Sequence, residues 1–343
     1  MKALVLEEYN KLVYKDVPEP FIGDEDVLIR VMACGICGSD VHGYDGSTGR
    51  RIPPIIMGHE ASGIIQKTGK LVKNWSEGDR VTFDSTVYPL NDWFTLEGHY
   101  NLSDNREVLG VSPGAYRRHG AFAELVSVPQ HILYKVPYNV SFEQAAMVEA
   151  IAVALHSIRL SGIKTGENCV VVGAGMIGTF IIKLLKISGA YCIIAIDTDK
   201  YRLEQALKSG ATHCFSSEDS ELEKRILDIT HYRGSDIAFE AAGYSRSVNA
   251  AIDSVRKGGK VVLVGNVTPE ISFPLQKVVT RELQILGSCA IRGEYETVLD
   301  LLSGGRISVD DQISAVAPLS EGAVWFERLY GKEKGLNKII LKP

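Results

Sequence analysis

The sequence predicts an α/β protein in two parts: an antiparallel, strand-rich region first, then a doubly wound parallel sheet. Three observations carry this. Before about residue 140, short runs alternate apolar and polar residues between Pro, Gly and Asp turns. After it, apolar runs of strand length alternate with helical patterns, the signature of a parallel sheet with helices on its faces. And 343 residues are enough for two domains of ordinary size.

The bulk numbers narrow the class. Apolar residues make up 45% and charged residues 23%, the balance of a globular protein. Acidic residues outnumber basic ones, 42 to 37, so no basic patch points to nucleic acid. The opening M-K-A-L-V-L-E-E-Y has acidic residues where an export signal needs an apolar core. The most apolar run, Cys169 to Leu185, is broken by three glycines and a lysine and is too interrupted for a membrane span. Six cysteines, at 34, 37, 169, 192, 214 and 289, are scattered through strand-like contexts, which suggests reduced thiols in a cytoplasm.

Taken in order, K-A-L-V-L, K-L-V-Y-K and D-V-L-I-R-V read as the first strands, with P-E-P-F-I-G-D-E-D between the second and third. A-S-G-I-I-Q-K, G-D-R-V-T-F and F-A-E-L-V-S-V continue the pattern, giving an antiparallel barrel or sandwich. Between Asp84 and Gly120 the period fails, and the segment reads as a long excursion. A single helix is expected to run from an N-cap at Ser141 through Glu149 to about Ile158. Strands then fall at 169–173, 192–197, 236–240, 261–265 and 284–288, with helices near 176–188, 200–209, 219–230 and 246–256. Two helical patterns, Glu294–Ser303 and Ser320–Tyr330, and a strand K-I-I-L-K close the chain.

Gly173, Gly175 and Gly178 form G-A-G-M-I-G between the strand C-V-V-V and a helix opened by Met176 and Ile177. The first Gly allows a tight turn, the second lets a pyrophosphate approach the backbone, and the third lets helix and strand pack closely. The helix N-terminus then favours the phosphates. Asp197 ends the next strand, 19 residues past Gly178, where a carboxylate accepts from ribose hydroxyls and repels a 2′-phosphate. This favours NAD; Lys200 and Arg202 nearby keep NADP as the lesser reading.

The stretch from Cys34 to Glu60 holds Cys37, Ser39, Asp40, His42, His59 and Glu60. Thiolate, imidazole and carboxylate are the ligand types that zinc takes. Alone, Cys37 reads as a small buried hydrophobe and His59 as a core histidine. Flanking glycines at 35, 38 and 58, the adjacent pair His59–Glu60 and the dinucleotide motif downstream favour a metal site.

These motifs, together with G-H-E-A-S-G, G-D-R-V, N-R-E-V-L-G, G-A-F-A-E, E-A-I-A-V-A-L-H and the final K-I-I-L-K-P, resemble the zinc-dependent medium-chain dehydrogenases over the whole length. The resemblance is greatest to the sorbitol (polyol) dehydrogenase branch. It implies a GroES-like β-barrel catalytic domain over 1–150, a Rossmann NAD-binding domain over 151–287, and a return to the catalytic domain over 288–343. It implies a homodimer or homotetramer that acts on a small molecule. Cys37 and His59 fall on the family's zinc ligands, and Glu149 on a glutamate that the polyol branch places close to zinc. Glu60 falls on a glutamate that binds the metal directly or through water. Ser39 falls on the hydroxyl that touches the reacting alcohol, His42 on a proton-relay histidine, and Asp40 on a residue that orients His59.

The family's second, structural zinc is held by four cysteines on a lobe. Those positions are Pro89, Asp92, Thr95 and Ser103 here, so one catalytic zinc and no structural zinc is expected, with Trp93, Phe94 and Tyr100 pinning the lobe by packing. The implied reaction is oxidation of a secondary hydroxyl of a polyol to a ketone: sorbitol- or L-iditol-like, a cyclitol, or a sugar-alcohol phosphate. For the last, Arg50, Arg51, Arg117, Arg118 and Arg292 are clamp candidates, against a plainer reading as solvated surface. L-Threonine or 2,3-butanediol oxidation on the same scaffold is the alternative, as is a zinc-free quinone reductase or nucleotide-binding relative.

Overall fold

The computed structural model describes residues 1–112 and 118–343. The chain divides into two compact units, one of Met1–Glu149 with Ile291–Pro343, the other of Ala150–Ala290.

In the first unit, Lys2–Glu8 and Lys11–Asp16 form an antiparallel hairpin, and Ile55–Ile56 pairs on the other side of the first strand. A larger sheet runs in the order Leu133–Lys135, Arg80–Phe83, Glu60–Thr68, Asp26–Gly35, Lys338–Lys342 and Ile313–Pro318. Leu125–Pro129 also pairs with Asp26–Gly35. All these pairings are antiparallel except that of the last two strands. The strand Asp26–Gly35 is the organiser, because its Val27, Ile29 and Val31 enter one core with Leu4, Leu6, Phe83, Phe122 and Phe326. The excursion after Asp84 contains a two-strand ladder, Thr86–Val87 with Glu107–Val108, and two short helical turns, Trp93–Leu96 and Tyr100–Leu102.

In the second unit, six strands form a parallel sheet in the order His213–Ser216, Cys192–Asp197, Asn168–Val172, Ser235–Glu240, Val255–Leu263, Gln284–Gly287. The order reverses between Asn168–Val172 and Ser235–Glu240, the switch point beside which open α/β sheets bind ligands. The edge strand H-C-F-S is absent from the sequence expectation: at four residues, only partly buried, it lacks the apolar run that marks its neighbours. Ile313–Pro318 also escapes notice, because after Ile313 its covered positions hold only alanines and Val316 is exposed.

The helix expected from Ser141 is two helices. Phe142–Ala146 is opened by a capping box in which the Ser141 hydroxyl accepts from the Gln144 N–H and the Gln144 side chain accepts from the Ser141 N–H. It stops at Met147, and Val148–Ser161 begins afresh. Glu149 therefore sits in the first turn of a new helix.

Candidate metal and dinucleotide sites

Gly35 ends the strand Asp26–Gly35, and the Ile36 N–H donates to the Ile339 carbonyl, delivering Cys37 at the sheet edge. Cys37 caps the short helix Gly38–Gly43; its sulfur accepts the Ser39 N–H at 3.4 Å and the Ser39 hydroxyl at 3.3 Å. His59 and Glu60 arrive through Gly58, whose φ of +90° suits glycine. A Cβ there would press on the Phe122 ring and the Cys34 sulfur within 3 Å. Glu60 opens the strand Glu60–Thr68, opposite Gly35.

The result is a cluster. The ligand atoms of Cys37, His59 and Glu60 all lie within 4.8 Å of one another, the one such group among the described residues. His59 and Glu60 are buried and Cys37 is partly exposed. His59 Nδ1 faces Asp40 Oδ1 at 3.5 Å, close enough for charge attraction and long for a hydrogen bond. Its Nε2 lies 3.4 Å from the Ser39 hydroxyl, on the side of the Cys37 sulfur.

Buried Asp40 is held ionised. Burial opposes this, but His59 and Arg51 outweigh it and keep the carboxyl far below its usual range. Burial also opposes a charged His59, yet Asp40 and Cys37 prevail and hold the imidazole well above its ordinary pKa. The donor set suits a positive ion.

Glu149 stands outside the 4.8 Å group but within its field. Burial is the main reason its carboxyl is pushed up to about 7; His59 and Lys338 pull it down and Glu60 pushes it up. His42 is exposed on the last turn of the short helix, and its ring makes no hydrogen bond among the described residues.

Two participants carry little signal in the sequence. Lys338 opens the C-terminal strand, and its buried ammonium pairs with Glu60. Gly35 leaves room for that pair, since a Cβ there would run into the Glu60 carboxylate and the Lys338 stem. Arg51, read from sequence as surface or phosphate clamp, is 1% exposed and bound to Asp40. Of the other clamp candidates, Arg118 pairs with Glu107 at 3.3 Å, Arg292 meets His99, Arg50 is exposed, and Arg117 lies outside the described residues.

On the lobe, Asp92 accepts the Thr95 N–H at 2.7 Å and the Ser103 hydroxyl, so three positions that carry cysteines in the family are hydrogen bonded to one another. The expected packing is corrected in part. Trp93 is 67% exposed, resting edge-on against Phe94. The pin is Tyr100, which stacks on Tyr88, donates to buried Asp84 at 2.8 Å and accepts the Gly293 N–H at 2.8 Å. Four-residue Trp93–Leu96 has no buried face for Trp93 to fill.

In the second unit, the chain leaves Val172 and turns at Gly173, with φ +95°, into the helix Met176–Ile187. Gly178 packs directly on the Gly173 carbonyl, leaving no room for a side chain. Gly175 caps the helix, and Met176 and Ile177 present first-turn N–H groups without an intrahelical acceptor. Asp197 accepts the Ala174 N–H at 2.7 Å and the Asp199 N–H at 2.9 Å, which ties it to the glycine turn. Arg202 lies 3.9 Å from the same carboxylate with an exposed side chain.

Residues 23–138 match the alcohol dehydrogenase GroES-like domain family, and residues 177–304 the zinc-binding dehydrogenase family. A D-xylulose reductase A of Aspergillus oryzae is 33% identical, with 98% of this chain and 96% of that protein covered. A sorbitol dehydrogenase of Bacillus subtilis is 31% identical over 100% and 97%. The solved galactitol-1-phosphate dehydrogenase of Escherichia coli superposes with a TM-score of 0.92 at 26% identity, covering 100% of both chains. The chain belongs to the zinc-type medium-chain alcohol dehydrogenases. Within that family it is an NAD(P)-linked alcohol dehydrogenase whose relatives include polyol enzymes.

Proposed function

We propose that the protein oxidises a secondary hydroxyl of an unphosphorylated polyol to a ketone and passes the hydride to NAD. The observation that carries this is the Cys37–His59–Glu60 group with the Glu149 carboxyl beside it. Cys37 and His59 would hold the zinc, with Glu60 or Glu149 as the oxygen donor. When bound, the metal supplies Lewis acidity toward the reacting oxygen.

The remaining roles belong to the protein. Ser39 relays the proton that leaves the reacting hydroxyl, giving up its own proton as it takes the substrate's, and exposed His42 is the last group on the way to solvent. Glu149, a carboxyl where a simple alcohol dehydrogenase would have a thiolate, suits a substrate rich in hydroxyls. Gly173, Gly175, Met176, Ile177 and Gly178 cradle the pyrophosphate. Asp197, placed by Ala174 and Asp199, takes the adenosine ribose and disfavours NADP. Arg202 lies over that position. An unphosphorylated substrate is favoured because Arg51, Arg118 and Arg292 already have partners.

A zinc-free relative would have no use for the donor group. Cys34, Cys37, Cys169, Cys192 and Cys214 form no disulfide with one another, which suits a reducing cytoplasm. Exposed Val267, Phe273, Leu275 and Val279, close in sequence to the edge strand Gln284–Gly287, suit a homo-oligomer.

The test is metal content per subunit on protein purified without chelator, followed by an NAD-reduction screen over sugar alcohols, cyclitols and their phosphates. One zinc and NADH from an unphosphorylated polyol is the expected result. Absence of both zinc and alcohol-dependent NADH overturns the proposal, and a preference for a phosphate ester overturns its substrate half.

A further inference from the structure

Arg51 is among the largest fully buried side chains of the described residues, and it lies directly behind the metal cluster. Its Nη2 donates to Asp40 Oδ1 at 2.7 Å and to the Ser39 hydroxyl oxygen at 3.2 Å. Its Nε donates to the same Asp40 oxygen at 3.2 Å, and its Nη1 to the Arg50 carbonyl at 3.4 Å. Gly43 leaves room for its stem, since a Cβ there would strike Arg51 Cγ and Cβ. Neutralising Asp40 would need only a positive charge. Nη2 does more by reaching a second acceptor, the Ser39 hydroxyl.

A hydroxyl has one proton to donate and two lone pairs. Around Ser39 the neighbours are Arg51 Nη2, a donor only, the Cys37 sulfur at 3.3 Å and His59 Nε2 at 3.4 Å. Arg51 occupies one lone pair and turns the rest of the hydroxyl toward the two metal ligands. The Ser39 proton goes to the Cys37 sulfur, and one lone pair is left beside the two metal ligands. The cation behind the oxygen also favours any negative charge that builds on it.

We propose that Arg51 is a positioning residue for the reaction: its buried guanidinium, anchored on Asp40, fixes the Ser39 hydroxyl so that it faces the substrate side of the metal cluster. This rests on the reading of Ser39 as proton relay given above.

The experiment compares R51M and R51K with the wild type, each alone and combined with S39A, in the zinc-loaded enzyme. In R51K the ammonium is one bond short of Nη2, so it keeps a charge beside Asp40 without reaching Ser39. Expected in both is a fall in kcat for polyol oxidation of about ten- to hundredfold, the usual cost of losing an outer partner of a metal site. KM should change less than about threefold, with NADH binding unchanged. On the S39A background neither Arg51 substitution should lower kcat further. Equal losses on both backgrounds overturn the proposal and leave Arg51 a purely structural cation. If R51M does not fold, R51K decides.

A readout independent of activity is a crystal structure of R51K, in which the Ser39 hydroxyl is expected to leave its place beside Cys37 and His59; an unmoved hydroxyl overturns the proposal. A wild-type enzyme inactive on every polyol would sink the functional reading while leaving the Ser39 geometry to be judged by the crystal structure.

Discussion

The Lys338 ammonium is paired with the Glu60 carboxylate although 278 residues separate them, and both side chains are at most 3% exposed. The two residues open strands that flank Asp26–Gly35 on either side: Lys338 begins the C-terminal strand and Glu60 the strand Glu60–Thr68. A carboxylate within reach of the metal cluster therefore has a built-in competitor for its charge.

That competition is measurable. Removing one partner of a buried ion pair leaves the other uncompensated, which costs about 3–5 kcal/mol. In K338M the metal-free protein should lose about that much stability by chemical unfolding. The zinc-loaded protein should lose clearly less, because the cation then faces Glu60. Equal losses with and without zinc would show that Glu60 does not turn to the metal.

Cys37→Ser should abolish zinc retention and lower turnover by more than about a hundredfold, beyond the loss expected for an outer partner. NADH binding, which belongs to the other unit, should survive. Metal analysis and NADH fluorescence titration check both halves. Full turnover without zinc would refute the ligand assignment.

Asp84 gives a pH signature. Burial is the main reason its carboxyl is pushed up from 3.8 to about 6, and hydrogen bonds from Thr86 and Tyr100 oppose that only in part. Between those values the folded protein holds a proton that the unfolded chain has released. Stability therefore falls as pH rises from about 4 to 6 and levels off above. At about 1.4 kcal/mol per unit, the fall is on the order of 2–3 kcal/mol. Asp84→Asn should flatten this part of the profile in urea unfolding of metal-free protein at a series of pH values. Identical slopes in the two proteins would exclude Asp84 as the source.

Asp197→Ala should raise the NADP-to-NAD ratio of kcat/KM by roughly ten- to hundredfold, the worth of one or two hydrogen bonds to a charged group. Because Asp197 also holds the Ala174 N–H, affinity for both cofactors should drop. An unchanged ratio would confine Asp197 to bracing the turn.

Sequence reasoning reached the local parts of both sites. The glycine turn and the Cys37–Ser39–Asp40 cap lie within a few residues, where backbone geometry dictates residue type. It also brought His59 and Glu60 to Cys37, because ligand chemistry and family resemblance coincide there. It did not reach Lys338, since a lysine opening an apolar strand looks like any exposed strand end. Arg51 was misjudged for a related reason: an arginine beside another arginine in a Gly- and Pro-rich stretch reads as surface, and only the gap left at Gly43 buries it. The break at Met147 was hidden by the even apolarity of the segment, which offers no Gly or Pro to mark a stop. The short edge strand His213–Ser216 owes its existence to its neighbour Cys192–Asp197 rather than to its own propensity.

The placement of Lys338–Lys342 between Asp26–Gly35 and Ile313–Pro318 also sets an order of assembly during synthesis. The first unit cannot close its large sheet until Lys338–Lys342 has left the ribosome, whereas Ala150–Ala290 is contiguous and complete well before. A nascent chain thus carries a finished nucleotide-binding half beside a barrel missing an interior strand. During that interval Glu60 has no ammonium to meet, and the Asp26–Gly35 strand end stands open to pairing with another polypeptide.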